Sequence, residues 1–165
     1  MIDVRSPKPG DEHALAALDR ATWTTLTSPA PPPPEPDQRF FNERIDVRDV
    51  LVAEVDGQVA GYVRLGRVFP IAASDHVLMI TGIAVDPAFQ RRGVGRMLLE
   101  AAVAEARVRG VRRVTLRVLA HNEAAVRLYE QGGFVVEGVL RGEFFLDGHY
   151  VDDLLMALDL TASVS

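Results

Sequence analysis

A single mixed α/β domain is the fold that the sequence predicts, and three observations carry the prediction. Stretches of strand-like apolar periodicity stand near both ends of the chain, around Ile2 and around Val151. A near-continuous apolar run, Val77 to Val85, sits at the centre. Segments with helical apolar spacing lie between these strands, in an order closer to hairpins at both ends than to a regular βαβ alternation. One domain over residues 1–165 follows, built on a central twisted mixed sheet of about six or seven strands flanked by about four helices. The length of 165 residues suits this, since such a domain buries roughly 70% of its unfolded surface on folding.

The elements can be justified in order. Ile2 to Arg5 alternates apolar and charged residues and predicts a short strand, closed by Ser6, Pro7, Pro9 and Gly10. Asp11 starts a helix with Leu15 and Leu18 on one face, extended by Trp23 and Leu26. Ser28 to Pro36 is proline-rich and cannot be helix or central strand, because proline lacks the amide donor and fixes φ. It reads as a surface loop, either a plain connector or a shaper of specificity. Phe40 to Arg44 predicts a short helix. Val50 to Val55 and Val59 to Val68 are strands joined through Asp56 and Gly57, a hairpin signal. Val77 to Val85 predicts a strand buried on both faces, in which Gly82 marks a bulge or a close approach of backbone.

Asp86 and Pro87 break that strand. A helix then runs to about Arg109 with Val94, Leu98, Ala102 and Ala106 at i, i+4 spacing, and Gly110 ends it. Val111 to Leu119 is the next strand. Asn122 caps a helix that ends near Gly132 and Gly133. Phe134 to Leu140 and His149 to Leu158 close the sheet around Asp147 and Gly148.

Composition excludes several chemistries. The chain has no cysteine, so disulfides, thiolate metal sites and a thiol nucleophile are ruled out. The histidines have no ligand-like spacing, and no metal is expected. A net charge of −5 argues against nucleic-acid partners, whose binding rests on basic groups displacing counterions. The central apolar run is far short of the roughly 20 residues needed to span a bilayer, and Met1 to Pro7 carries no apolar leader, so a cytoplasmic protein is expected.

The chemistry begins at Gln90, Arg91, Arg92, Gly93, Val94 and Gly95, between the buried strand and the amphipathic helix. The first helical turn has unpaired N–H donors and the positive end of the helix dipole, and glycines let the main chain close around an anion. Arg91, Arg92 and Arg96 add positive charge. A pyrophosphate is the natural occupant. A phosphate loop of the nucleotide-hydrolase type needs Lys-Ser/Thr, and a dinucleotide fingerprint needs a third glycine where Leu98 stands. Taken alone, the hexapeptide is also compatible with a tight turn and solvated arginines.

These residues, preceded by Val85, Asp86 and Pro87, resemble the acyl-CoA loop of the GNAT acetyltransferase superfamily, whose pattern is Gln/Arg-x-x-Gly-x-Gly/Ala. The resemblance continues through Asn122 to Tyr129, then Gly133 and Phe134. The tail, Glu137 to Arg141 and Asp147 to Asp152, is similar to the ribosomal-protein-alanine, diamine and phosphinothricin acetyltransferase branches. It implies that acetyl-CoA is the cosubstrate and that the main chain of Ile83, Ala84 and Val85 pairs with pantetheine as an added strand. It implies Tyr129 as the acid for the departing thiolate and Asn122 as a hydrogen-bonding partner of the pantetheine arm or a water. Without the family, Asn122 is an N-cap and Tyr129 a half-buried helix aromatic.

No cysteine and no Gly-x-Ser-x-Gly elbow stand in the chain, so direct attack by a primary amine in a ternary complex is expected rather than an acyl-enzyme. A strand amide near Ile83 or Val85 would hold the oxyanion. Relatives of the resembled family place a glutamate on the central strand, but Met79, Ile80 and Thr81 offer no carboxylate. Glu143, Asp147, Asp152 and His76 are the remaining candidates for a base, each equally readable as a surface or turn residue, and a water chain is a further option. The acceptor is a small molecule or a protein N-terminus or lysine, and the C-terminal strands leave room for a homodimer. A non-catalytic acyl-CoA-binding sensor or scaffold on the same fold is the alternative. A nucleotide phosphotransferase is disfavoured by the missing Lys-Ser/Thr.

Overall fold

The computed structural model describes residues 1–33 and 39–161. Ten regular elements follow in order: β1 (Ile2–Arg5), α1 (Glu12–Thr22), β2 (Val50–Val55), β3 (Gln58–Gly66), β4 (Val77–Val85), α2 (Val94–Val108), β5 (Arg113–Leu119), α3 (Glu123–Gln131), β6 (Val135–Leu146) and β7 (His149–Asp159). The strands form one 7-stranded sheet in the order β1-β2-β3-β4-β5-β7-β6. The β4–β5 pair is parallel, and the other neighbours run antiparallel.

Two clusters fill the two faces. On one, α2 buries Val94, Leu98, Leu99, Ala102 and Ala106 against β2 to β5, and Tyr129 and Phe134 close the same cluster. On the other, Leu15 and Leu18 of α1 pack with Phe40, Val50, Val52 and Tyr62. A salt bridge fixes how α1 enters: Arg5 on β1 donates to both oxygens of Asp11, at 2.7 and 3.0 Å, and to Glu54 on β2. Asp11 is held well below the usual carboxylate range, first by the Arg5 hydrogen bonds and with help from the Lys8 amide.

Several expectations need correction. Three α-helices flank the sheet among the described residues rather than four, the remaining helical turns being short 3-10 segments. Residues 40–44 do not form the expected helix. Five residues are too few to offset helix nucleation, and Phe40 is instead drawn into the core, its ring 5.0 Å from Tyr62 and 5.1 Å from Phe41. A bridge between Asn42 and Ile45 takes the backbone hydrogen bonds. Helix α1 stops at Thr22, because Trp23 turns extended and donates its indole N–H to Ala30. Strand β6 runs past Leu140 to Leu146, because irregularities between Val136 and Gly138 and between Leu140 and Phe144 let the pairing with β7 continue. Of the proline-rich segment, residues 28–33 have no regular structure, and Pro34 to Pro36 lie outside the described residues.

Candidate active site

Strand β4 is the axis of the site. Its parallel ladder with β5 covers Val77 to Ile80, paired with Arg113 to Leu116, and goes no further. Beyond that point β4 keeps its partner β3, through Gly82–Arg64, Ile83–Val63, Ala84–Tyr62 and Val85–Gly61, while β5 continues beside β7. The two strands therefore diverge, and one edge of Ile83 to Val85 has no strand beside it. The divergence starts at a bulge: Gly82 faces Arg64, but Ile80 already faces Leu65, so Thr81 is extra. The strand is thus not buried on both faces as expected. Thr81 is exposed and Gly82 to Val85 are half-buried.

Strand alternation decides which groups face this gap. The Asp86 amide donates to Ala60 on β3 at 2.8 Å, so Ala84, two residues earlier, turns its main-chain groups the same way. The close approach of the Ala84 oxygen to Gly61, 2.6 Å from where a Cβ would stand, agrees. Ile83 and Val85 thus present N–H and C=O to the gap, and Ala84 presents its own to β3.

The end of β4 leads into the loop expected to seat an anion. The Asp86 side chain accepts from the Ala88 amide at 2.8 Å and starts a 3-10 turn over Pro87–Phe89. Arg91 and Gly93 then take positive φ, 62° and 84°. Gly93 is the N-cap of α2, and no side chain caps its first turn. The free donors of that turn face outward beside exposed Arg91 and Arg92. Arg92 lies over the Phe89 ring at 5.5 Å, and Arg96 pairs with Glu100 at 2.9 Å. Gln90 donates to the Val85 carbonyl at 3.4 Å, so it ties the loop to the strand edge. A Cβ on Gly95 would sit 3.5 Å from Leu128 and 3.8 Å from Val85. The helix start, the strand end and α3 therefore meet at one place.

Helix α3 brings the other two predicted residues. Asn122 accepts from the Ala125 amide at 3.3 Å as the N-cap, which leaves its amide N–H groups free for a second partner. Tyr129 belongs to the same packed cluster that Ile83 and Val85 pack against, with 6% of its surface exposed. Burial pushes its hydroxyl up to about 12, and the hydroxyl has no hydrogen-bond partner among the described residues.

The candidate bases are scattered. Asp152 accepts from the Gly142 amide at 2.8 Å, and Glu143 lies 4.0 Å from Arg117. Asp147, in the β6–β7 turn, takes a hydrogen bond from Thr25. His76 stands at the start of β4, about 20 Å from the gap at the rise of an extended strand. Thr25 also offers its carbonyl to His121 at 3.1 Å. The segment after α1 is thereby strapped to the β6–β7 turn and to the residue before the Asn122 cap of α3.

Two groups escaped the sequence reading. Asp153 on β7 is buried and accepts from Arg117 at 2.5 Å. Tyr62 donates to Asp19 of α1, and its hydroxyl is pushed well up, by burial first and by Asp19 in part. Neither has a local motif, because each depends on elements far apart in sequence.

Fold and site together define a class of mixed α/β domain in which a strand pair splays beside a glycine-capped helix. The family model described as "Acetyltransferase (GNAT) family" matches residues 15–134, and the chain belongs to that family. It is 46% identical over 79 residues to the ribosomal protein bS18-alanine N-acetyltransferase of Salmonella typhimurium, a match covering 48% of this chain and 53% of the relative. The chain thus spans about half the length of such relatives. A Bacillus subtilis protein provisionally named a phosphinothricin acetyltransferase is 27% identical over 155 residues, covering 92% of this chain and 94% of that one. The crystal structure of a Streptococcus mutans protein superposes with a TM-score of 0.83 at 28% identity, covering 96% of this chain and 99% of that one.

Proposed function

We propose that this chain transfers an acetyl group from acetyl-CoA directly to a primary amine, within a ternary complex. The observation that carries the reading is the open edge of β4, ending at a helix start whose amide donors no side chain caps. An extended, amide-bearing arm fits the first, and a pyrophosphate fits the second.

Acetyl-CoA supplies an acetyl group activated as a thioester. Arg91, Arg92 and Arg96, with the amides from Gly93 to Arg96, hold its pyrophosphate, and Val94 lies buried beneath them. The main-chain groups of Ile83 and Val85 hold the pantetheine arm, and one of their amides stands where negative charge develops on oxygen. Gln90 keeps that edge aligned, and Asn122 offers its free amide N–H groups to the arm. Tyr129 carries the proton for sulfur on its hydroxyl. The proton released by the acylated amine leaves to water, from which Tyr129 is recharged. A small amine, a protein N-terminus and a lysine are all acceptors within this reading. A second copy docking along the open edge of β6, where Val135, Val139 and Phe145 are exposed, belongs to it as well.

An amine library offered with acetyl-CoA, followed by release of free CoA, tests the proposal. Turnover with at least one amine is expected. Tight acetyl-CoA binding with no turnover for any amine would leave a sensor or scaffold instead.

A further inference from the structure

The bulge of β4 has a cation laid over it that pairs with no carboxylate among the described residues. Arg64 sits on β3 opposite Gly82, and its Nη2 and Nε lie 2.8 and 2.9 Å from where a Gly82 Cβ would stand. Glycine at position 82 is what lets the guanidinium rest there. Among the described residues, Arg64 Nε is the buried side-chain polar atom with no hydrogen-bond partner. Among the described residues no carboxylate forms an ion pair with Arg64, and its guanidinium lies 5.7 Å from the Tyr62 ring centre. A half-buried cation left this way costs free energy, and such groups call for a reason.

The surroundings supply one. Arg64 lines a cavity of about 350 Å³ together with Asn42, Arg44, Arg67 and Thr81. That volume is in the range of small-ligand sites. Among the described residues, three arginines and no acidic residue line it. Arg67 is neutralised by Asp75, whereas Arg44 has no ion-pair partner among the described residues. Thr81 is the extra residue of the bulge, about 7 Å along the strand from Ile83 at the rise of an extended chain. The cavity therefore adjoins the gap on the α1 face of the sheet.

We propose that this cavity is an acceptor subsite for a carboxylate, so that the amine acetylated belongs to an amino acid or a close analogue with a free acid group. The inference rests on the transfer reaction proposed above and narrows its acceptor. Arg64 and Arg44 pair with the carboxylate, as planar guanidinium groups do most strongly. The amine, a few bonds away, then lies at the gap. A simple polyamine lacks the group that would neutralise Arg64, and it would meet three guanidinium groups instead.

Binding tests the subsite without turnover. Saturation-transfer NMR, with CoA present, reads the N-acetylated common amino acids and their carboxamides against the wild-type chain and Arg64→Gln. Acids are expected to bind the wild type, with the matching amides at least about tenfold weaker, as for a hydrogen bond to a charged group. Arg64→Gln removes that preference, and Arg64→Lys restores part of it. Where Arg64→Gln does not fold, Arg44→Gln at its exposed position takes its place and shows the same loss. Acids and amides binding alike, no acid binding at all, or a preference that survives in the folded glutamine variant overturns the subsite. Acid binding that depends on Arg64 while no amine is ever acetylated counts against the transfer reaction and leaves the subsite standing.

Discussion

Tyr129 is protonated across the whole range in which an amine acceptor becomes a nucleophile. Its ring is buried, and desolvation of the phenolate places its titration near 12, above the ordinary value of about 10. The sign is simple: the acid form is the competent one, and it persists until pH passes that raised value. Rising pH meanwhile deprotonates the amine. The value of kcat/KM is thus expected to climb from pH 7 to 9 without a descending limb below about pH 10. A falling limb near pH 8 in such a profile would remove Tyr129 as the acid. Tyr129→Phe is expected to lower turnover about 10²-fold, the scale of losing a general acid, while acetyl-CoA affinity measured by calorimetry barely moves. Equal turnover in the two proteins would assign the hydroxyl no part.

At the scale of elements, the Arg5–Asp11–Glu54 cluster locks α1 onto β1 and β2. Asp11 titrates lower in the folded chain than in the unfolded one. Its contribution to stability is full above the ordinary carboxylate value of about 4 and is lost as pH falls through its lowered folded value. Asp11→Asn takes one of two carboxylates from Arg5, leaving Glu54 in place, and is expected to cost about 2 kcal/mol in denaturant unfolding at pH 7, the scale of hydrogen bonds to a charged group. The difference from wild type should shrink toward acid pH. Elements with a strong period or a capping residue were legible in the sequence: β4 was bounded at Val77 and Val85, and Asn122 caps α3 as read. The glycine turn into α2 was legible because Gly93 and Gly95 stand together at the start of the helical period. Elements governed by distant contacts were not. Phe40 leaves its predicted helix for the Tyr62 ring, and β6 outruns its apolar pattern because β7 supplies the pairing. Gly82 was read as either a bulge or a close approach and proves to be both, since the approaching group, Arg64, comes from another strand.

For the whole molecule, the decisive fact is the uneven stitching of the sheet. Strands β5 and β7 pair from Arg113 to Leu119, while β4 and β5 pair over four residues. The sheet is therefore two panels, β1 to β4 and β5 to β6, joined by a short seam and backed by α2. A ligand laid along the open side of Ile83 and Val85 acts as a missing stave between them. Ligand that occupies the folded form alone adds about 2.7 kcal/mol of stability at a hundredfold excess over Kd. Hydrogen exchange should therefore slow at the amides of Ile83 and Val85 when acetyl-CoA is added, and the melting temperature should rise. A melting temperature that stays flat under saturating acetyl-CoA would contradict this picture. On the proposed reading the acetyl donor fills the seam between the panels, so its arrival and the bracing of the sheet that receives it are one event.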